Sequence, residues 1–233
     1  MLSVIIPTLN AAPHIGPCLA GLVPAAIEGL VSEVVIADGG SGDDIAAIAD
    51  QSGAQFVEAE KGRGTQLRAG AEHAKGQWYL FLHADTVLEP GWERAVIRFL
   101  ERAERQSRDY GKSGPAAAFR FALDDGSGAA RRLEWMVRLR MALMKLPYGD
   151  QGLLIHRRHY EALGGYADIP LMEDVDMIRR IGRRNLVLLD AKAVTSADKY
   201  RRDGYLKRST RNLWLLALYY LGASPRRLAR RYS

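Results

Sequence analysis

The sequence predicts an α/β protein with a Rossmann-like, mostly parallel central sheet covered by helices on both faces. Two observations carry that prediction. Short apolar runs such as "SVIIP", "EVVIAD" and "QWYLFLHA" show no polar alternation, as strands buried on both sides do. Between them lie stretches of helical character that stop at a glycine, Gly53 and Gly76 among them, where a left-handed cap costs nothing.

Taken in order, the elements expected are strand 3–7, a helix over about 14–23, strand 33–38 and helix 43–53. Strand 54–59, helix 64–76, strand 77–84 and the amphipathic helix 91–106 follow. "YGKSGP" (110–115) is a turn-rich break. Beyond it the strict alternation loosens. "AAAFRFALDD" (116–125) reads as a strand, "RRLEWMVRLRMALMKL" (131–146) as a helix and "QGLLIHRR" (151–158) as a strand. "MEDVDMIRRIG" (172–182) reads as a short helix, "NLVLLDA" (185–191) as a strand, and 204–221 as a last long helix. This half is expected to complete the sheet and to wall a cleft.

Composition narrows the class. With 233 residues, 48% of them hydrophobic, the chain can bury a sizeable core. Its one cysteine, Cys18, excludes a disulfide framework and a cysteine-rich zinc site, and suits a reducing cytoplasm; it is expected to fill core. His14, His73, His156 and His159 read as solvated or helix-surface residues. "MLSVIIPTLN" lacks the basic leader of a secretory signal, and the longest apolar run, "LWLLALYYLG", is far shorter than a membrane span. The net charge of +6 is concentrated late in the chain, in "IRRIGRRN", "KYRRDGYLKRSTR" and "SPRRLARRY". Such a tail favours phosphates of some kind.

The polar residues collect at strand ends. The first strand runs into Pro7-Thr8-Leu9-Asn10, the second into Asp38-Gly39-Gly40-Ser41, the fourth into His83-Ala84-Asp85. In open parallel sheets ligands bind at that edge. One aspartate there is a cap, but three polar strand ends make a site. No G-x-G-x-x-G and no P-loop follows the first strand. A carboxylate at the edge then points to Mg²⁺ or Mn²⁺ as the partner of a diphosphate.

"SVIIPTLN", "VVIADGGSGD", "KGRGTQLRAGAEHAKGQWYLFLHADT" and "MEDVDM" stand in the order and approximate spacing of the family 2 glycosyltransferases. The chain resembles that family over about residues 1–185. The "LHADT" strand end is similar to that of a small bacterial subgroup often found beside selenium- or radical-enzyme gene sets. The resemblance implies the GT-A fold in a single domain, with a nucleotide-sugar half (1–110), an acceptor half (111–200) and basic amphipathic C-terminal helices (201–233). It implies an inverting transfer from a nucleotide-diphosphate sugar, uridine being the commonest base. Pro7, Thr8 and Asn10 would then lie near the nucleotide, and Asp38 on its base or ribose. Arg63, Gln66 and Arg68 would flank the uracil or diphosphate. "HAD" at 83–85 stands where the family carries its D-x-D metal motif. Asp85 would be the metal ligand, Ala84 would lie against the donor, and His83, in place of the first aspartate, would face ribose or metal. Glu173-Asp174 match the family's acidic pair, with Asp174 as general base and Glu173 orienting the acceptor or the base. Asp150 and Gln151 would contact the acceptor.

Other classes fit less well. A sugar nucleotidyltransferase needs a glycine- and arginine-rich loop after the first strand, which "PTLNAAP" is not. A nucleic-acid-binding module would interleave aromatic and basic residues, a pattern confined here to the region past residue 199, so no nucleic-acid partner is expected. A third alternative is a membrane-surface structural protein that uses the tail alone. Ser224-Pro225 reads as a cap and first-turn proline opening a second short helix, with Arg226, Arg227, Arg230 and Arg231 on one face. With Leu206, Leu213, Leu216, Leu218, Tyr220 and Trp214 upstream, this tail either packs on the domain or docks on anionic lipid near a lipid-linked acceptor.

Overall fold

In the computed structural model, which describes residues 1–106, 114–144 and 147–232, strand β1 (Leu2–Thr8) lies at the middle of a parallel block. It pairs with β2 (Val31–Asp38) on one side and β4 (Trp78–Phe81) on the other, and β2 pairs with β3 (Gln55–Glu58). The rest of the sheet is mixed. β7 (Leu153–His156) runs antiparallel to β4 and to β6 (Ala116–Leu123). β6 runs parallel to β8 (Leu186–Thr195), which pairs antiparallel with β5 (Thr86–Leu88). The order is β3-β2-β1-β4-β7-β6-β8-β5, so strands from both halves of the sequence share one sheet.

Side chains of a strand alternate between faces, and β1 shows the consequence. Val4 and Ile6 face one core layer with Ile15, Leu22, Ile36, Trp92 and Phe119. Ile5 faces the other, with Val35, Tyr79, Phe81, Tyr160 and Val175. The first layer is covered by α1 (Ala12–Ile27), α2 (Ile45–Ser52) and α4 (Trp92–Gln106). The second is covered by α3 (Arg63–His73), α6 (Arg157–Ala162), α7 (Glu173–Ile181) and α9 (Tyr205–Tyr220). Helices therefore cover both faces, as the uninterrupted apolar strands demand. A side chain as large and fully buried as Phe119 contributes about 1.5–3 kcal/mol by leaving water.

Several boundaries differ from the sequence reading, each for a local reason. β4 stops at Phe81 instead of running to 84, because its partner β7 begins opposite it at Leu153, after Gly152 turns the chain at φ 62°. Residues 83–85 therefore form a turn, closed by Thr86 N–H donating to the His83 carbonyl at 3.1 Å. The expected strand 151–158 ends at His156, whose Nδ1 accepts from the Arg158 N–H at 3.1 Å and caps α6. His156 and His159 are buried, not surface residues. α3 ends at His73, and Gly76 serves closeness: a Cβ there would lie 2.5 Å from Ser3 Oγ. The break expected at 110–115 and the end of the helix expected at 131–146 lie largely outside the described residues; the described part of that helix is α5 (Gly128–Met144). α8 (Asp198–Asp203) and β5 had no clear sequence signal, and α10 (Pro225–Tyr232) starts at Pro225 as expected.

Candidate active site

The carboxyl edge of the parallel block is held by two buried polar side chains. Asp38, at the end of β2, accepts from Thr8 Oγ1 at 2.9 Å and Ser41 Oγ at 2.5 Å on one oxygen. Its other oxygen takes the Gly40 and Ser41 N–H groups at 3.0 and 2.7 Å. Burial alone would raise this carboxyl, but the Ser41, Thr8 and Gly40 hydrogen bonds outweigh it and hold it below its ordinary value. Gln66 donates Nε2 to the carbonyls of Thr8 and Ala37 at 2.5 and 3.1 Å, locking the ends of β1 and β2 together. Asn10 sits at φ 52°; its N–H donates to Ser41 Oγ and its Oδ1 accepts from Gly42 N–H. Asp38 and Gln66 thus shape the loop that carries Pro7, Thr8 and Asn10.

A cavity of about 150 Å³ is lined by residues from six parts of the chain, the end of β8 with α8 and the body of α9 among them. The turn after β4 supplies His83 and Asp85, the start of α3 supplies Arg63, the 149–151 turn supplies Gly149 and Asp150, and the start of α7 supplies Glu173 and Asp174. Asp85 Oδ2 takes an ion pair from Lys199 Nζ at 2.8 Å. Burial opposes ionisation of Asp85, but the Lys199 ammonium and the Arg63 guanidinium hold its carboxyl below the ordinary range. Burial, reinforced by Arg63, pushes the His83 imidazole down to about 3, so the ring is neutral with a lone pair to offer. Gly149 makes room here. A Cβ at that position would stand 2.6 Å from His83 Nε2 and 3.6 Å from Asp174 Oδ2.

The acidic start of α7 divides its carboxylates among different tasks. Asp176 pairs with Arg180 one turn on, at 2.6 Å. Glu173, 2% exposed, meets Arg63 at 3.4 Å; burial and then Asp174 raise its carboxyl, against the arginine. Asp174 accepts from the Gly149 N–H at 2.8 Å and the Val175 N–H at 2.7 Å, which orients it at the cavity. Met172, just before the helix, is held at φ 68°, a costly conformation for a side chain with a Cβ. Asp150 is pushed up to about 6 by burial, against Arg140 and with Asp174 adding to the rise.

The matching family model is glycosyl transferase family 2, over residues 3–127. The chain belongs to that family. Among solved structures, this glycosyltransferase is similar to glucosyl-3-phosphoglycerate synthase from Mycobacterium tuberculosis in complex with Mn²⁺, uridine-diphosphate and glucosyl-3-phosphoglycerate. The TM-score is 0.54 at 20% identity, covering 84% of this chain and 70% of that one. It is also similar to S. aureus TarS 1-349, with a TM-score of 0.60 at 16% identity, covering 83% of this chain and 57% of that one. TarS in complex with UDP-GlcNAc matches at 13% identity with the same TM-score. At these identities the likeness establishes the fold. Among curated proteins no relative matches the sequence.

Within this glycosyltransferase the expected site residues fall into two groups. Arg63, His83, Asp85, Asp150, Glu173 and Asp174 meet at the cavity, while Pro7, Thr8, Asn10 and Asp38 lie at the ends of β1 and β2, tied there by Gln66 of α3, and do not line it. Ala84, 8% exposed, belongs to the core layer under the turn. Two residues stand apart. Arg68 follows Arg63 by five positions, about 140° round α3, and donates to the Gly164 carbonyl at 3.0 Å. Gln151 is fully buried between the Phe119 carbonyl, 2.9 Å from its Nε2, and Arg140 Nη2, 3.2 Å from its Oε1. Lys199, Tyr148 and Arg208 line the cavity without having been foreseen. Lys199 had one available signal, its place just after a strand end, but it reads more readily as part of a basic run.

A divalent ion fits this donor set as a shared guest. Asp85 offers one ionised carboxylate and His83 a neutral imidazole, and no group of three His, Cys, Asp or Glu side chains suited to a metal occurs among the described residues. Mg²⁺ and Mn²⁺ are commonly held by one or two carboxylates with substrate phosphates completing the shell.

Proposed function

We propose that this glycosyltransferase moves a sugar from a nucleotide-diphosphate sugar, UDP-linked, to an acceptor hydroxyl with inversion at the anomeric carbon. The observation that carries the reading is the single cavity onto which both Asp85, after β4, and Asp174, at the start of α7, open. The loop of Thr8, Asn10 and Asp38 borders the nucleotide, and Arg63 lies toward the diphosphate. Mg²⁺ or Mn²⁺, held by Asp85 with His83 beside it, would neutralise the diphosphate and the charge that grows on it as it leaves. Asp174 takes the proton of the acceptor hydroxyl as its oxygen forms the new bond to the anomeric carbon. The bond from that carbon to the diphosphate breaks on the opposite face, and the nucleoside diphosphate departs with the electron pair. Glu173, fixed by Arg63, orients the acceptor or the base, and Asp150 faces the acceptor. The solved relatives with UDP and Mn²⁺, or with UDP-GlcNAc, support the donor class.

The test is thermal stabilisation and hydrolysis over a panel of nucleotide sugars, with Mn²⁺ and with chelator. UDP-sugars should raise the melting temperature and be slowly hydrolysed. A panel in which no nucleotide sugar does either would end the reading.

The C-terminal helices favour a membrane-proximal, lipid-linked acceptor. No described helix is long and apolar enough to cross a membrane. Leu215 and Leu216 of α9 are buried, while Leu206, Leu213, Trp214 and Leu221 are more than half exposed. A groove of about 470 Å³ between α5 and α9 shares Tyr148, Asp150 and Tyr200 with the cavity. Arg226 and Arg227 follow on α10, while the side chains of Arg230 and Arg231 lie outside the described ones. Basic residues near an anionic surface contribute about 1 kcal/mol each. The protein should float with anionic liposomes at low salt and come off at high salt. If it stays in solution with anionic vesicles at low salt, the acceptor is soluble.

A further inference from the structure

Among the described residues, Lys199 forms an ion pair with the candidate metal carboxylate. Its Nζ stands 2.8 Å from Asp85 Oδ2, and the lysine side chain is 53% exposed while Asp85 is 17% exposed. The lysine belongs to the short helix α8, which β8 delivers to the cavity: Ser196, just past the strand, donates its N–H to the Asp85 carbonyl at 3.0 Å. The ammonium is therefore held at the mouth by backbone that is itself bonded to the Asp85 turn. An ammonium and a divalent cation cannot both sit against one carboxylate oxygen, because the two positive charges would lie within a few ångströms of each other. A lysine stem is long and has several rotatable bonds, so the head can leave Asp85 while the helix stays in place. It leaves only for another anion; Glu173 already holds Arg63 and Asp174 takes two backbone N–H groups, while Asp150 keeps a buried Oδ1 without a hydrogen-bond partner.

We propose that Lys199 is the displaceable counter-cation of the donor site: it occupies Asp85 while the cavity is empty and moves onto the diphosphate when the donor arrives. The proposal rests on the donor reading above and adds an order to it. A divalent ion gains Asp85 together with the diphosphate, not before it, since only the diphosphate draws the ammonium away. Metal and nucleotide then bind as one unit. Without Lys199, Asp85 is open to metal at all times, and the diphosphate has lost one of its cations.

The experiment is Mn²⁺ binding, read from the electron paramagnetic resonance signal of unbound Mn²⁺, with and without UDP, on the whole chain and on Lys199→Gln. The wild type should bind Mn²⁺ weakly alone and about tenfold more tightly with UDP, whose phosphates complete the ion's shell. Lys199→Gln should bind Mn²⁺ alone up to about fivefold more tightly than the wild type and UDP without metal up to about fivefold less tightly, the ceiling for a half-exposed ion pair. Lys199→Arg, which restores the charge, should return both values toward the wild type. Wild-type Mn²⁺ binding without UDP that equals that of Lys199→Gln would overturn the counter-cation while leaving the donor reading intact. Absence of UDP binding in both proteins, with or without Mn²⁺, would overturn the donor reading and the counter-cation with it.

Discussion

Asp174→Asn should bind the nucleotide donor as the wild type does while transfer falls by about 10²–10⁴-fold, the usual worth of a positioned general base. The substitution is nearly isosteric. The asparagine oxygen can replace only one of the two acceptor oxygens, keeping the 2.8 Å contact with the Gly149 N–H and giving up the one with the Val175 N–H. Proton acceptance is therefore lost together with one orienting hydrogen bond. The measurement is single-turnover transfer with donor affinity determined separately. A drop in transfer alone assigns the proton to Asp174, whereas a drop in donor affinity means that the residue holds the cavity together. Asp150→Asn is the control. Asp150 is held up to about 6, so it is ionised above that pH and increasingly protonated below it. It is therefore the other carboxylate here that could accept a proton near neutral pH. If Asp150→Asn costs the full factor and Asp174→Asn does not, the base is Asp150, and the rate of the wild type should fall as pH drops through 6. If neither substitution costs transfer, Glu173 becomes the candidate.

What the sequence disclosed of this site followed from local chemistry. Asp85 was legible because an apolar run that ends on polar residues is anomalous for a buried strand, and two other strands ended the same way. Asp174 was legible only with its neighbours. An acidic first turn is ordinary in a helix, and the motif order separated Asp174 from Asp176, which spends its charge on Arg180. The parallel block β3-β2-β1-β4 followed from uninterrupted apolar strands, while the mixed half did not. β5 is three residues long and its pairing with β8 joins segments more than a hundred positions apart, which no local period records. Lys199 was hidden for the same reason. Its partner Asp85 lies 114 positions away, and in sequence it is one base among many. The resemblance set Gln66 beside the uracil or diphosphate, but the buried side chain gives its Nε2 to the Thr8 and Ala37 carbonyls, where it ties the ends of β1 and β2 together.

Asp85→Ala should abolish metal-dependent nucleotide binding, lowering UDP affinity in Mn²⁺ by about 100-fold. Loss of a residue that merely supports a metal ligand costs about 10–100-fold in metal affinity, and a direct ligand costs at least as much. The remaining charges make the effect larger than the loss of one contact. Glu173 and Asp174 stay in the cavity, and a diphosphate whose metal is missing faces them unneutralised. Lys199, released from its 2.8 Å pair, remains as a cation for the diphosphate, so binding without metal should change far less than binding with it. Folding should survive, because the lysine of that pair is half exposed and such pairs contribute about 1 kcal/mol or less. Isothermal titration of UDP with Mn²⁺ and with chelator, on wild type and variant of equal melting temperature, separates the terms. The expected pattern is a large metal effect in the wild type and none in Asp85→Ala. UDP affinity in Mn²⁺ that is unchanged by the substitution would remove the metal from Asp85 and leave the diphosphate to Arg63 and Lys199 alone.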